Sequence, residues 1–436
     1  TDKILEAAIK NNVDIIGLSG LITPSLDEMV HVAHEMKRRG MTQPLLIGGA
    51  TTSRMHTAVK IAQEYDNGVI HVLDASRSVT VAGSLLSKEQ KPNFLSGIKN
   101  EYHKLKEDFA NRKTVKNYLR FEEAQQNSAA IDWDNFTPVT PTFTGTRIFD
   151  NYDLAEIAEY IDWQPFFIAW EMHGKFPALL TDEIIGKAAT SLYKDAKKLL
   201  QQIINEKWLT ARGVIGFWEA KKIAPDTVIV KADREDIELQ FLRQQIKKAA
   251  GQPNISLADF IAPVNFKGQD YLGAFSVTIE GIEPHIKKFE DSLDDYNKII
   301  LQALADRFAE AFAEVLHKKT RLQYWGYVKE EHLSNDQLIK EEYQGIRPAP
   351  GYPACPDHTE KYKLFNLLGG EETTGIYLTE SLAMYPASSV CGWYFANPAS
   401  KYFGVGKINK DQLKDYTQRK QIPLEEMKRW LSPILD

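Results

Sequence analysis

The sequence has 436 residues, of which 43% are hydrophobic and 26% are charged. This length predicts two or three domains, and the balance is typical of a globular protein rather than a disordered or fibrous one. The net charge of −6 argues against a general nucleic-acid surface, and no apolar run approaches the ~20 residues that cross a bilayer. Cys355 and Cys391 are too few for a disulfide framework or a cysteine-based zinc site. We therefore expect a cytoplasmic protein without nucleic-acid or membrane partners.

The first 86 residues alternate helical and strand patterns. The apolar runs VDIIGL, PLLIGG and VIHVL predict three buried strands, and helices are predicted over 25–40, 53–64 and 76–86. This alternation is typical of βαβ units and predicts a partial doubly wound parallel sheet, Rossmann-like or flavodoxin-like, in an α/β domain over residues 1–86. Because three strands make a thin sheet, we expect the chain to begin partway through this domain.

The rest of the chain has a different pattern. Residues 87–146 predict a linker, with a charged helix over 87–120 in which Lys and Arg exceed Asp and Glu, followed by an extended TPVTPTFTG segment. From 147 to 436, the strand candidates RGVIGFW, DTVIV, YLGAFSVTI and SSVCGWYF are scattered between helices. That arrangement favours an α+β domain with an antiparallel sheet, in which the longest helix covers about 294–319.

Small and hydroxyl residues follow the predicted strands of the first domain. Ser19 and Thr23 come after the first strand, Gly48 and Gly49 end the second, and Ala75 follows the third. Ligands of open parallel sheets bind at these carboxyl ends, where glycine lets them approach the backbone. The same residue types are ordinary components of βα turns, so composition alone leaves the site open. Neither a G-x-G-x-x-G nor a Walker motif is present to indicate a dinucleotide or nucleotide site.

The second domain contains the string RPAPGYPACP, with four prolines in ten residues. Proline at this density forbids a helix or a central strand and predicts a rigid extended loop whose backbone could bind a ligand. Arg347 at its start could hold a carboxylate in a bidentate geometry, although a solvated surface arginine is the alternative. Asp306 and Glu310 are one helical turn apart on the long helix, where they form either a binding face or a solvated acidic stripe.

These strings resemble the cobalamin-dependent methionine synthases. LSGLITPSLDEM and LLIGGATTS are similar to the cobalamin-binding domain of that family, whose pattern is D-x-H-x-x-G, S-x-L and G-G. YIDWQPFF, EEYQGIRPAPGYPACPDHTEK, LTES and SKYF resemble its activation domain, which binds S-adenosylmethionine. The resemblance covers essentially the whole chain. The D-x-H-x-x-G part, with the histidine that ligates cobalt, is expected to lie upstream of Thr1, so we expect weak cobalamin binding or none.

The resemblance implies two sets of binding residues. For S-adenosylmethionine, Arg347 would bind the carboxylate and Asp162 would meet the methionine end of the ligand. The other positions implied for this ligand are Tyr352 at the pocket wall, the pair Tyr402 and Phe403, and the acids Asp306, Glu310 and Glu341. The positions implied for cobalamin are Ser19, Thr23, Gly48, Gly49 and Ala75.

The resemblance also implies a repair function. The family are methyltransferases that make methionine from homocysteine and methyltetrahydrofolate, and their cobalamin is occasionally oxidised to cob(II)alamin. S-adenosylmethionine and one electron from a flavodoxin or diflavin reductase then restore methylcobalamin. We expect this chain to support that reactivation beside the remaining domains of the enzyme, without the full methionine synthase activity of its own.

Two other functions are considered. The chain could be a non-catalytic regulatory module that binds a cofactor and docks a reductase. A free-standing S-adenosylmethionine methyltransferase is disfavoured, because the glycine-rich loop of the common Rossmann methyltransferases is missing from its expected place. For either reductase-dependent function, the basic strip with Lys104, Lys106, Arg112 and Lys113 is the candidate surface for an acidic electron donor.

Overall fold

The computed structural model of the protein describes residues 1–20, 25–111, 117–232 and 235–436. Its internal contacts divide the chain into two compact units. The first unit is Thr1–Tyr118 with Ile422–Leu435, and the second is Leu119–Gln421 with Asp436. The domain limits predicted from the sequence stay a prediction. Within the described ranges, no helix combines the length and the apolar character needed to span a membrane.

Helices and strands alternate through most of the first unit. Its elements are α1 (Asp2–Lys10), β1 (Ile16–Ser19), α2 (Ser25–Arg38), β2 (Leu45–Gly48), α3 (Arg54–His56), β3 (Val69–His71), α4 (Ala75–Leu86) and α5 (Lys91–Asn111). A π-helical turn, Thr57–Ile61, continues α3. The three strands form a parallel sheet in the order β1-β2-β3. This confirms the predicted parallel sheet.

Apolar side chains from α1 and α2 form the core of this unit with the sheet. Leu5 of α1 and Met36 of α2 are fully buried, as are Leu45 and Ile47 of the central strand β2. Each parallel connection contains a helix, because a chain that must return to the same end of the sheet needs a long crossover. The carboxyl ends of β1 and β2 consequently lie at one edge.

The second unit is a mixture of helices and antiparallel strands. The elements along this part of the chain are α6 (Phe121–Gln126), β4 (Gly145–Tyr152), α7 (Leu154–Ala158), α8 (Gln164–Ala169), α9 (Gly186–Glu206), β5 (Thr210–Ala224), β6 (Thr227–Val230), β7 (Ile237–Gln240), β8 (Asp270–Glu280), α10 (Glu283–Asp291), α11 (Asp295–Lys319), α12 (Asn335–Ile339), α13 (Glu360–Leu367), α14 (Gly370–Thr374), β9 (Tyr377–Leu378), β10 (Met384–Tyr385), β11 (Ser389–Tyr394) and α15 (Lys410–Lys420). The short helix α16 (Leu424–Leu431) lies in the segment grouped with the first unit.

One six-stranded sheet organises the second unit. Its order is β11-β8-β5-β6-β7, and β4 also pairs with β5. All of these pairs are antiparallel. The 15-residue strand β5 is long enough to pair with β4 near its start and with β6 near its end. The predicted antiparallel sheet is therefore confirmed.

The long helix α11 covers one face of this sheet. Its first turn is capped by Asp294, whose carboxylate accepts a hydrogen bond from the backbone N–H of Asn297 at 3.0 Å. The predicted core face is buried throughout, at Ile300, Leu304, Phe308, Phe312 and Leu316. A Cβ atom on Gly213 of β5 would lie only 2.8 Å from the Phe312 ring, so this glycine allows close contact between helix and sheet.

A second core covers the opposite face of the sheet. It contains Leu364 and Phe365 of α13 and Trp393 of β11, all buried. The sheet is thus enclosed by two apolar layers, which fixes the position of α11 and of the chain that borders β11.

Candidate functional site

One side of α11 lines a cleft of about 350 Å³ in the second unit. Arg307, Glu310, Ala311 and Glu314 contribute to its wall, and their spacing of three, four and seven residues is that of one helical face. The other lining residues are Tyr160, Asp162, Pro165, Asn335, Leu338, Ile339, Glu341, Tyr343 and Arg347. We call this site the Arg347 cleft. It brings together Asp162, Glu310, Glu341 and Arg347, four of the residues predicted from the sequence.

Arg347 is held by three contacts of a single nitrogen atom. Its Nη1 donates to Glu314 Oε2 at 2.5 Å and lies 3.3 Å from His317 Nδ1 and 3.4 Å from the Tyr343 hydroxyl. The arginine side chain is 20% exposed. Burial alone would lower the pKa of this guanidinium, but the Glu314 carboxylate and nearby tyrosines hold it well above its ordinary value. Arg347 therefore presents a permanent positive charge at the cleft.

Tyr402 supports the backbone behind Arg347. Its hydroxyl accepts a hydrogen bond from the Arg347 backbone N–H at 3.0 Å and lies 3.2 Å from the hydroxyl of Tyr343. The neighbouring Phe403 is directed to the second core, where its ring meets Phe260 edge-on at 6.5 Å. The structure thus places Tyr402 and Phe403 behind the cleft, outside its lining.

The proline-rich loop runs along the end of β11. Ile346 and Phe395 form an antiparallel bridge with two hydrogen bonds of 3.0 Å, and Trp393 donates its backbone N–H to Pro348 O at 2.9 Å. The extended conformation predicted from the prolines applies only to residues 347–349, because residues 350–355 form turns in which the Gly351 backbone N–H donates to Cys355 O at 2.7 Å. The prediction that its backbone is free to bind a ligand is wrong at Ile346 and Pro348, because the edge of β11 already uses their polar groups.

Asp162 enters the cleft just before α8. Its Oδ1 accepts a hydrogen bond from the backbone N–H of Gln164 at 2.9 Å, a local turn that orients the carboxylate. The Gln164 side chain in turn donates to Gly174 O at 2.9 Å and accepts from Phe176 N at 2.7 Å. These bonds fix the entry to α8, and with it the position of Asp162.

Glu341 has an unusual backbone conformation for its residue type. Its backbone φ of +59° lies in the left-handed region, which residues other than glycine rarely adopt. Burial raises the pKa of its carboxyl group; the positive charge of Arg347 opposes this shift and the negative charge of Glu314 adds to it. Residues in such conformations are found preferentially at functional sites, where the surroundings compensate for the strain.

The charges of the Arg347 cleft indicate the kind of ligand it suits. Four carboxylates line it, against the two guanidinium groups of Arg307 and Arg347. An acidic surface with a fixed arginine can bind a carboxylate at one end of a molecule and positive charges elsewhere. The geometry therefore favours a compact ligand that carries a carboxylate together with one or more cationic groups.

Two other predicted residues lie outside the lining. Asp306 is exposed on α11 and accepts a hydrogen bond from Ser388 Oγ at 2.6 Å. Tyr352 is 62% exposed. Partial desolvation is the main cause that raises the pKa of its phenol, and the negative charge of Glu310 raises this pKa further. Tyr352 is thus within electrostatic range of the Glu310 side of the cleft without lining it.

Sequence reasoning missed several lining residues, including Tyr160, Arg307, Glu314 and Tyr343. A signal for two of them was present, since Arg307 and Glu314 are three residues before and four after Glu310. Tyr160 and Tyr343 lie within the quoted strings YIDWQPFF and EEYQGIRPAPGYPACPDHTEK, but no helical spacing links them to Glu310, because their two loop segments come together only in the tertiary structure.

The positions predicted for cobalamin lie in the first unit. Ser19 ends β1 and is exposed; Gly48 ends β2 and is half-buried, and Gly49 follows it and is exposed. Thr23 lies outside the described residues, and Ala75 begins α4. No contact among the described residues tests whether this edge of the sheet binds a ligand, so the cobalamin assignment stays a prediction.

Gly49 is required by the sheet itself. Its φ is +105°, and a Cβ atom there would lie 2.3 Å from Gly20 O. The Gly20 backbone N–H donates to Gly48 O at 2.8 Å, so the turns after β1 and β2 are in direct contact. Beside them, Thr52 Oγ1 lies 3.2 Å from His71 Nε2. Part of the small-residue pattern is therefore explained by packing.

Comparisons with known proteins agree with the architecture of the second unit. A family model described as vitamin B12 dependent methionine synthase, activation domain, matches residues 153–421, a range that contains the whole Arg347 cleft. A solved structure described as the MetH reactivation domain bound to AdoHcy is 46% identical in sequence, with a TM-score of 0.70. The match covers 73% of this chain and 98% of that one. On this evidence the chain belongs to the vitamin B12-dependent methionine synthase family and contains its activation domain.

Proposed function

We propose that the Arg347 cleft binds S-adenosylmethionine and its demethylated product S-adenosylhomocysteine, and that the chain thereby supports reductive reactivation of its methyltransferase family's cobalamin. The observation that carries this proposal is a fixed arginine in an acidic cleft. The similar structure, described as bound to AdoHcy, supports the same ligand class. No observation favours a purely regulatory module over this function.

The residues of the cleft fit the charges of this ligand. Arg347 binds the carboxylate, and Asp162, Glu310 and Glu341 offset the ammonium and sulfonium charges. When bound, S-adenosylmethionine supplies the methyl group for reactivation. The protein contributes binding and orientation, because the value of such a site lies in holding the reacting group in one geometry.

Calorimetric titration with S-adenosylhomocysteine tests the role of Arg347. Arg347→Ala should weaken binding by about 1.5–3 kcal/mol, the range of a charge-assisted hydrogen bond, and Arg347→Lys should be weakened too because it lacks the planar fork. Arg147→Ala, at an exposed position on β4, is the matched control and should bind like the unmodified protein. Unchanged affinity in a folded Arg347→Ala variant would contradict the proposal.

The electron donor for this reaction is a flavodoxin-like or diflavin reductase. The excess of basic residues on α5 supports docking there: Lys104 is exposed and Lys106 half-buried, while Arg112 and Lys113 lie outside the described residues. Lys104→Glu should weaken flavodoxin binding and reduce its dependence on salt. If both are unchanged in Lys104→Glu, this helix face has no part in docking.

Residues 1–86 of the first unit are part of a doubly wound, Rossmann-like cobalamin domain of the cytoplasmic enzyme, whose other domains act together with this chain. The exposed carboxyl ends of β1 and β2, with Ser19 and Gly49, support this assignment. Adding methylcobalamin and recording the visible spectrum tests it. We expect weak or no binding, because the D-x-H-x-x-G motif is absent from the sequence. A spectrum with histidine on cobalt would contradict this expectation.

A further inference from the structure

A chain of alternating charges leads to the Arg347 cleft. Arg321 donates from Nε and Nη2 to both oxygens of Glu331, at 2.6 and 2.7 Å. Its Nη1 lies 3.9 Å from Glu314 Oε1, and Glu314 Oε2 accepts from Arg347. The exposed fractions along this charge chain are 5% for Glu331, 0% for Arg321, 12% for Glu314 and 20% for Arg347. This series of charged side chains therefore starts in the interior with Glu331 and ends at the cleft with the positive charge of Arg347.

The free part of Arg347 is the edge formed by Nε and Nη2. All three of its side-chain hydrogen-bond contacts use Nη1, and within the described part of the chain Nε and Nη2 make none. A guanidinium whose Nη1 is fixed can still offer Nε and Nη2 as two parallel donors to a carboxylate. The geometry leaves that edge available.

Glu314 itself is not free to bind a ligand. Its Oε2 is engaged by Arg347, and its Oε1 is buried without a hydrogen bond, on the side of Arg321. Glu314 can therefore influence a ligand only through the orientation of Arg347. The neutral neighbour His317, whose pKa is held well below its ordinary value by burial and by the charges of Arg321 and Arg347, adds a weaker acceptor.

We propose that Glu314 is a positioning residue, which fixes Nη1 of Arg347 so that its Nε and Nη2 edge receives the ligand carboxylate. The inference rests on the proposed function of the cleft. The ligand carboxylate then continues the alternation of Glu331, Arg321, Glu314 and Arg347. Removing Glu314 would also remove a repelling negative charge, but orientation dominates, because a bidentate pair needs both donors aligned at once.

Paired titrations of the full chain test this role. S-adenosylhomocysteine is compared with its decarboxylated analogue, S-adenosyl-3-thiopropylamine. Glu314→Ala should lower the affinity for S-adenosylhomocysteine roughly tenfold, the effect of about one charge-assisted hydrogen bond. It should change the affinity for the decarboxylated analogue less than twofold. Glu314→Gln keeps an oxygen that can accept from Nη1, so its loss should be smaller. Asp306→Ala, on the same helix but outside the cleft, should change neither.

A double-mutant cycle separates positioning from general damage. In the Arg347→Ala background, Glu314→Ala should cause no further loss, because the group it orients is already gone. Unchanged or tighter binding of S-adenosylhomocysteine by folded Glu314→Ala and Glu314→Gln, or equal losses for both ligands, would overturn the inference. Failure of the unmodified chain to bind S-adenosylhomocysteine would instead contradict the proposed function.

Discussion

Individual residues of the Arg347 cleft illustrate what a sequence can and cannot reveal. Arg347 and Asp162 were predicted from motifs, but their contact with one cleft depends on tertiary packing. Helical spacing predicted a shared face for Asp306 and Glu310, yet only Glu310 lines the cleft. Four residues rotate a helix by about 40° beyond a full turn, and that step is enough to place Asp306 past the edge.

This difference makes Asp306 a matched control for Glu310. Glu310→Gln should lower the affinity for S-adenosylmethionine more than the affinity for S-adenosylhomocysteine, because only S-adenosylmethionine carries a positive sulfonium. The Coulomb energy of a close pair is about 1–4 kcal/mol before solvent reduces it. Asp306→Asn should leave both affinities unchanged. Titrating both ligands into both variants checks this, and equal losses for the two ligands in Glu310→Gln would assign the glutamate to pocket structure instead.

A buried histidine gives the second prediction at this scale. His358 is 7% exposed, and burial followed by the charge of Lys361 lowers its pKa to about 4. Between pH 6.5 and 4, His358 binds a proton in the unfolded chain but stays neutral in the folded chain, so the free energy of unfolding decreases as the pH falls. This histidine alone should reduce the free energy of unfolding by about 2 kcal/mol between pH 7 and pH 5.

Urea unfolding at both pH values measures this effect. The His358→Gln variant should lose that part of the pH dependence, whatever its stability at pH 7. If the variant and the unmodified chain have the same difference between pH 7 and pH 5, His358 does not remain neutral in the folded state.

At the scale of elements, strong periodic patterns in the sequence predicted helices and strands correctly, whereas segments with weak patterns were missed. The helix predicted over about 294–319 corresponds to α11, Asp295–Lys319. It was predictable because it has a regular apolar face and begins after an aspartate cap. The edge strand β4, Gly145–Tyr152, was not predicted, since most of its residues are exposed and it lacks an apolar run. Its structure comes from pairing with β5, and no local pattern records that partner.

The proline-rich loop also depends on one glycine. Gly351 has a φ of +96°, and a Cβ atom there would lie 2.3 Å from the His358 ring. Gly351→Ala should therefore cost about 3 kcal/mol or more in the free energy of unfolding, from backbone strain and overpacking together. Gly326 has a φ of +76° with no atom within 4 Å of such a Cβ, so Gly326→Ala should cost only about 1 kcal/mol. Equal losses in urea unfolding would show that contact with His358 is unimportant.

At the scale of the whole molecule, the hydrophobic cores follow the two units. The core with Leu5 and Leu45 lies entirely in the first unit, and the two cores around the six-stranded sheet lie entirely in the second. The sequence suggested a change of architecture after the third strand. It could not show that Ile422–Leu435 groups with the first unit, because that association joins residues from distant parts of the chain.

Separate cores predict separate unfolding transitions. In calorimetry, S-adenosylhomocysteine should raise only the transition of the second unit, which contains the Arg347 cleft. At 100 times its dissociation constant, the ligand stabilises the folded state by about 2.7 kcal/mol, which for a unit of this size raises the midpoint by about 5 °C. The control is the chain shortened to residues 119–421, the continuous part of the second unit, in which the responsive transition should remain. A single transition that shifts as a whole would show that the two units unfold together, and no shift at all would contradict binding in the cleft.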